Sequence, residues 1–128
     1  LILEDSQKSS AEFQDQFSGE PIEVVIVETA AEARELFERD EFDVIVLDAI
    51  APSGPGRGAR LVGPILAREF RDAGYKGFIV ALSSDAEAQA LTKKAAGEKV
   101  PHRAYACAKL RLADLVRELL LGIYSTSK

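Results

Sequence analysis

Val44-Ile45-Val46-Leu47-Asp48 is a run of four branched apolar residues closed by a carboxylate. Val and Ile pack well on a pleated surface, and an apolar run without alternation suits a strand covered on both faces. Working outward from it, similar runs recur at Leu1 to Leu3, Ile22 to Val27, Phe78 to Leu82 and Ala104 to Ala108. The stretches between them read as helices. Thr29 to Glu32 and Ser84 to Glu87 both have the spacing of a capping box, and each follows a strand end closely. A last helix over Leu112 to Tyr124 places Leu112, Leu115, Val116, Leu119, Leu120 and Ile123 on one apolar face, and a weaker first one runs from Gln7 to Phe17. Strand and helix alternating five times predict an α/β fold, a parallel sheet with helices on both faces.

A chain of 128 residues suits one domain with its own core, here 1–124 with a short tail at 125–128. Sixteen Lys and Arg against 21 Asp and Glu give a formal charge of −5, which argues against binding nucleic acid through phosphate neutralisation. With one cysteine, Cys107, and one histidine, His102, neither an internal disulfide nor a four-ligand Cys/His zinc site is available, and a reducing cytoplasm is expected. No apolar run approaches the roughly 20 residues that cross a bilayer, so no membrane association is expected. The chain starts at Leu1 and contains no Met, so an excised segment of a longer protein is expected.

In open α/β sheets, ligands bind outside the carboxyl ends of the strands. The first predicted strand is followed by Glu4-Asp5 and the third ends in Asp48. In a flavodoxin-like, doubly wound sheet of order 2-1-3-4-5 these strands are neighbours, so three carboxylates would converge. Like charges so close raise one another's pKa values unless a cation joins them, and carboxylates, a backbone carbonyl and water are ligands that Mg²⁺ prefers. The fourth strand is followed by Ser83, a hydroxyl donor, and the fifth by Lys109, a mobile cation. This set suits a phosphoryl group: a carboxylate can attack phosphorus while metal, hydroxyl and ammonium neutralise the equatorial oxygens.

Leu3-Glu4-Asp5-Ser6, Val44 to Asp48 with Pro52 four residues on, Ala81-Leu82-Ser83 and Lys109 together resemble the motifs of response-regulator receiver domains in two-component signalling. The resemblance covers essentially the whole chain and implies a five-stranded flavodoxin-like fold with five helices. It implies Asp48 as phosphoacceptor, Asp5, Asp48 and the Ile50 carbonyl as Mg²⁺ ligands, and Glu4 acting on the metal through water. Ser83 would bond the phosphoryl oxygen and shift on phosphorylation, and Lys109 would pair with the aspartyl phosphate. The implied donor is a phosphohistidine on a sensor histidine kinase or a phosphotransfer protein. The output would pass to an effector domain or output protein, and the only catalysis would be Mg²⁺-dependent self-phosphorylation and self-dephosphorylation.

Three positions depart from that pattern. Leu110 stands where proline normally follows the lysine, and a trans peptide, or a strained one, is expected there because a cis bond to a non-proline residue costs about 2.5–4 kcal/mol. Ala106 stands at the switch aromatic, with Tyr105 beside it on the opposite face. The segment from Gly54 to Gly63, with three glycines and a proline among Gly54 to Gly58, reads as a flexible surface loop longer than the family norm. These departures keep a second reading open, a degenerate receiver that binds partners without phosphorylation, and a third, a small flavodoxin-like enzyme or phosphatase. Elsewhere, Arg68, Glu69, Arg71 and Asp72 read as a solvated helix face, His102 as an exposed loop residue and Cys107 as a small apolar strand residue.

Overall fold

The structure is a computed structural model that describes residues 1–4, 6–83 and 85–126. Asp5, Ser84 and the tail residues Ser127 and Lys128 lie outside the described residues. The elements are β1 (Ile2–Leu3), α1 (Gln7–Gln16), β2 (Ile26–Val27), α2 (Ala30–Arg39), β3 (Val44–Asp48), β4 (Ile50–Pro52), β5 (Ala59–Leu61), α3 (Gly63–Asp72), β6 (Phe78–Leu82), α4 (Ala86–Gly97), β7 (Ala104–Cys107) and α5 (Leu112–Thr126). Short 3₁₀ turns precede β7 and α5, at Pro101–Arg103 and Lys109–Arg111.

The main sheet has the order β2-β1-β3-β6-β7 and is parallel throughout, which is the expected 2-1-3-4-5 arrangement. Alternation along the strands feeds two cores. Leu3, Ile45, Leu47 and Ile79 face Ala33, Leu66, Phe70 and Ala95 of α2, α3 and α4, where Phe37 stacks on Phe70 at 4.2 Å. Ile2, Val44, Val46 and Val80 face the other way, onto Phe13 of α1 and Leu112, Val116 and Leu119 of α5. Helices on both faces account for the continuous apolar runs.

Local signals act as the chemistry requires. Thr29 caps α2, its hydroxyl accepting from Glu32 N–H at 3.2 Å. Pro64 sits in the first turn of α3, where its missing N–H costs nothing. The cap of α4 is Asp85 rather than Ser84, with the Asp85 carboxylate accepting from Ala88 N–H at 3.0 Å. The side chain that accepts so near a helix N-terminus gains from carrying negative charge.

Two expectations are overturned. The glycine-proline segment is a loop only from Gly54 to Gly58, where it forms the tip of an antiparallel β4–β5 hairpin; Ala59 to Leu61 are a strand, with Leu61 paired to Ile50 and Ala59 to Pro52. Gly56, at φ 73°, supplies the left-handed residue that the tip needs. Arg71 is not on a solvated face. It is 3% exposed, and its guanidinium donates to the carbonyls of Ala96 (2.8 Å), Tyr75 (2.9 Å), Gly77 (2.7 Å) and Arg103 (2.9 Å). Those carbonyls lie at the end of α4 and ahead of β6 and β7, where the α-helical pattern of α3 gives no hint of them. Arg68, Glu69 and Asp72 do lie in solvent, paired with Glu98, Arg34 and Lys99.

Candidate functional site

The carboxyl ends of the parallel strands gather the polar residues. Leu3 is in register with Leu47, so Glu4 and Asp48 stand at the ends of adjacent strands, about 4.8 Å apart in backbone spacing. Both are withdrawn from solvent, Glu4 completely and Asp48 to 7% exposure. Glu4 is held from two sides. Its Oε1 accepts from Ser6 N–H at 3.1 Å, and its backbone carbonyl accepts from the Ser10 hydroxyl at 3.4 Å. Among the described residues Oε2 has no hydrogen-bond partner, but the Lys109 ammonium lies 3.1 Å away, compensating its charge without hydrogen-bond geometry. Asp48 Oδ1 accepts from Ile50 N–H at 3.2 Å, which ties the carboxylate to the first residue of the hairpin.

Ser83 directly follows β6, and its half-buried hydroxyl accepts from Asp85 N–H at 3.0 Å. Lys109 opens the 3₁₀ turn after β7. Its ammonium reaches across the sheet to Glu4, and the Ser9 hydroxyl of α1 accepts from it at 3.4 Å. The expected partner of Lys109 was a phosphorylated Asp48; here the ammonium rests on Glu4. A carboxylate oxygen removed from water needs an opposite charge nearby, and a long flexible stem can supply one.

The structure therefore brings together Glu4, Asp48, Ile50 and Lys109, with Ser83 at the rim. Asp5, the remaining expected metal ligand, lies outside the described residues. The donor set fits a hard divalent cation: two buried carboxylates on neighbouring strands, one with an oxygen that has no hydrogen-bond partner among the described residues, and a hairpin that fixes Ile50 beside them.

Two residues in contact with this region escape the sequence reading. Ser9 falls three residues after the α1 cap Ser6, whose hydroxyl accepts from Ser9 N–H at 3.3 Å. Only that cap spacing marks it. Gln89 of α4 donates from its amide nitrogen to the carbonyls of Ala81 (3.3 Å) and Cys107 (2.9 Å), joining α4 to the ends of β6 and β7. No local pattern signals such a bond.

The atypical positions are as expected in part. No described peptide bond is cis, so Lys109 joins Leu110 through a trans bond, and Leu110 stands 86% exposed. Ala106 is exposed, while Tyr105 packs on Phe78 across the opposite face at 5.9 Å between ring centres. Cys107 is half-buried against that same core, and burial pushes its thiol up. His102 is exposed. A cavity of about 500 Å³ lies at the far end of the sheet, lined by Ile22, Val24, Phe42 and Leu120 among others, and takes no part in the site.

No protein-family model matches this chain, and no curated protein does. Solved structures match in fold. The receiver domain of an HD domain-containing protein from Pseudomonas fluorescens Pf-5 aligns with a TM-score of 0.72 at 15% identity, over 97% of this chain and 94% of that one. The receiver domain of the TMAO respiratory system response regulator TorR aligns at 0.69 and 21% identity, over 97% and 94%. The receiver domain of a signal transduction histidine kinase from Syntrophus aciditrophicus gives 0.70 and 18%, over 95% and 89%. At these identities the likeness establishes the fold: this chain has the flavodoxin-like architecture of a receiver domain.

Proposed function

We propose that the chain is a phosphoacceptor receiver domain of a two-component system, with Asp48 as the acceptor. The observation that carries this reading is the pair of buried carboxylates, Glu4 and Asp48, on adjacent strand ends with the Lys109 ammonium against one of them. In the proposed step an Asp48 oxygen forms a bond to phosphorus as the donor's P–N bond breaks, and the departing nitrogen keeps the electron pair and takes up a proton. Asp5, Asp48 and the Ile50 carbonyl would hold Mg²⁺, with Glu4 acting through water, and the ion would neutralise phosphoryl oxygens. Lys109 would pair with the new aspartyl phosphate. The Ser83 hydroxyl would exchange its Asp85 N–H for a phosphoryl oxygen, and the cap beside it makes that exchange a local change at the start of α4.

The donor in this reading is a phosphohistidine on a sensor kinase or phosphotransfer protein, and the receiver would work in the cytoplasm. Among the described residues no helix is long and apolar enough to cross a membrane. The test is incubation with Mg²⁺ and phosphoramidate, followed by intact mass spectrometry. One added phosphoryl group, abolished by Asp48→Ala, is the expected result. A second reading, an interaction module without phosphorylation, is favoured by two observations: Ala106 offers no ring to move, and Leu110 projects into solvent. It predicts no mass change in that experiment.

A further inference from the structure

We infer that Ser9 is a positioning residue for Lys109, holding the ammonium over the end of β3 so that it meets the phosphoryl group arriving at Asp48. This rests on the phosphoacceptor reading and deepens it.

The argument starts from the sheet order. Lys109 follows β7 and its ammonium contacts Glu4, which follows β1; between those strands lie β6 and β3. The Lys109–Glu4 pair, reaching toward each other from β7 and β1, must therefore pass across the ends of β6 and β3, where Asp48 sits. Such a stretched conformation needs anchors, because a lysine stem has four rotatable bonds and the side chain is still one-third exposed. Glu4 Oε2 supplies charge to the ammonium without hydrogen-bond geometry. Among the described residues the ammonium donates one hydrogen bond, to Ser9 Oγ at 3.4 Å.

Ser9 is itself well placed to act as a fixed point. It lies in the first turn of α1, and its backbone N–H is bound by the cap hydroxyl of Ser6. Ser6 in turn is fastened to Glu4, whose Oε1 accepts from Ser6 N–H. The loop that carries Glu4, the cap of α1 and the Lys109 ammonium thus form one connected network. An ammonium has three donors, so with one given to Ser9 it can still donate to a phosphoryl oxygen. A neutral hydroxyl suits this task better than a second carboxylate would: it directs the ammonium without adding charge that would hold it away from the incoming phosphate.

The test uses the full chain, Mg²⁺ and phosphoramidate as donor, and compares the parent, Ser9→Ala, Ser9→Thr, Lys109→Ala and the Ser9→Ala/Lys109→Ala pair. Ser9→Ala is expected to lower the limiting phosphorylation rate about three- to tenfold while the half-saturating donor concentration stays put. Ser9→Thr, which keeps the hydroxyl, is expected to recover most of the rate. In the Lys109→Ala background, Ser9→Ala is expected to cause no further loss, since its effect runs through the lysine. A parent-like rate in Ser9→Ala, or a loss that persists without Lys109, overturns the role of Ser9 and leaves the phosphoacceptor reading standing. Absence of phosphorylation in the parent chain overturns both.

Discussion

Replacing Arg71 with Met keeps most of the stem volume and removes the guanidinium, so it isolates what the buried cation contributes. Four carbonyls lose a charged donor, and each such bond is worth about 1.5–3 kcal/mol net. The whole of that is not lost, because the variant also avoids the desolvation of a cation, which amounts to several kcal/mol. Burial does push the Arg71 guanidinium down from its ordinary value, the sign of that penalty. The carbonyls also differ. Ala96 O is buried and would be orphaned at about 1–3 kcal/mol, whereas Tyr75, Gly77 and Arg103 lie nearer water and can rehydrate. The balance is a destabilisation of about 3–5 kcal/mol. For 128 residues the unfolding entropy is about 0.27 kcal/mol/K, so the melting temperature should fall by roughly 10–20 °C. Circular dichroism melts of parent and Arg71→Met at equal concentration measure it. A fall under about 3 °C, or a rise, would refute the reasoning and show that the cation's desolvation cancels its bonds.

Two further effects follow from close contacts elsewhere. A Cβ on Gly63 would lie 2.5 Å from Thr92 Oγ1 and 2.7 Å from the Ala49 Cα, so Gly63→Ala should lower stability by about 1–3 kcal/mol despite the better helix propensity of alanine. Thermal melts of Gly63→Ala with and without Thr92→Ala should show partial recovery only, because the Ala49 contact is backbone; full recovery would contradict this. Glu20 is hydrogen-bonded by Arg117, which holds its carboxyl below the ordinary value of 4.5. The unfolded chain then binds more protons, so this pair stabilises the fold above that value and the contribution is lost as pH falls through the lower, folded value. Glu20→Gln should melt below the parent at pH 6, and the gap should narrow as pH falls below the ordinary value of 4.5; a gap that stays constant down through that range would argue against the linkage.

What could be read from the residues depended on whether the cause was local. Val44 to Leu47 and Phe78 to Leu82 declare buried strands because each residue's branching and apolarity act where it stands. Asp48, Ser83 and Lys109 were legible as a set because strand ends of a doubly wound sheet meet in space, and topology supplied the contact that spacing alone does not. The hairpin was missed since Gly54 to Gly58 dominate the composition, while the pairing depends on Ile50 to Pro52 meeting Ala59 to Leu61, three residues on each side with little strand pattern of their own. Arg71 was missed for a different reason. Its neighbours Arg68, Glu69 and Asp72 are solvated, and the carbonyls that draw it inward come from segments up to 32 residues distant. The Lys109–Glu4 contact has no local signal either, since it joins residues 105 positions apart that meet only once the sheet order is in place.

These observations divide the molecule along its strands. The carboxylates, Ser83 and Lys109 cluster at the carboxyl ends, while the Arg71 bonds to Gly77 and Arg103 lie just before the amino ends of β6 and β7. β6 has five residues, so the two groups stand about 13 Å apart along it, beyond the range over which substitutions without shared partners usually couple. A variant at Arg71 should therefore lower the melting temperature while leaving the phosphoramidate reaction unchanged at temperatures where it is folded, and Ser9→Ala should do the reverse. On the phosphoacceptor reading, the buried arginine thus bears on stability from the amino ends of β6 and β7 and the half-buried serine on the reaction at the carboxyl ends, so the two carry different kinds of consequence.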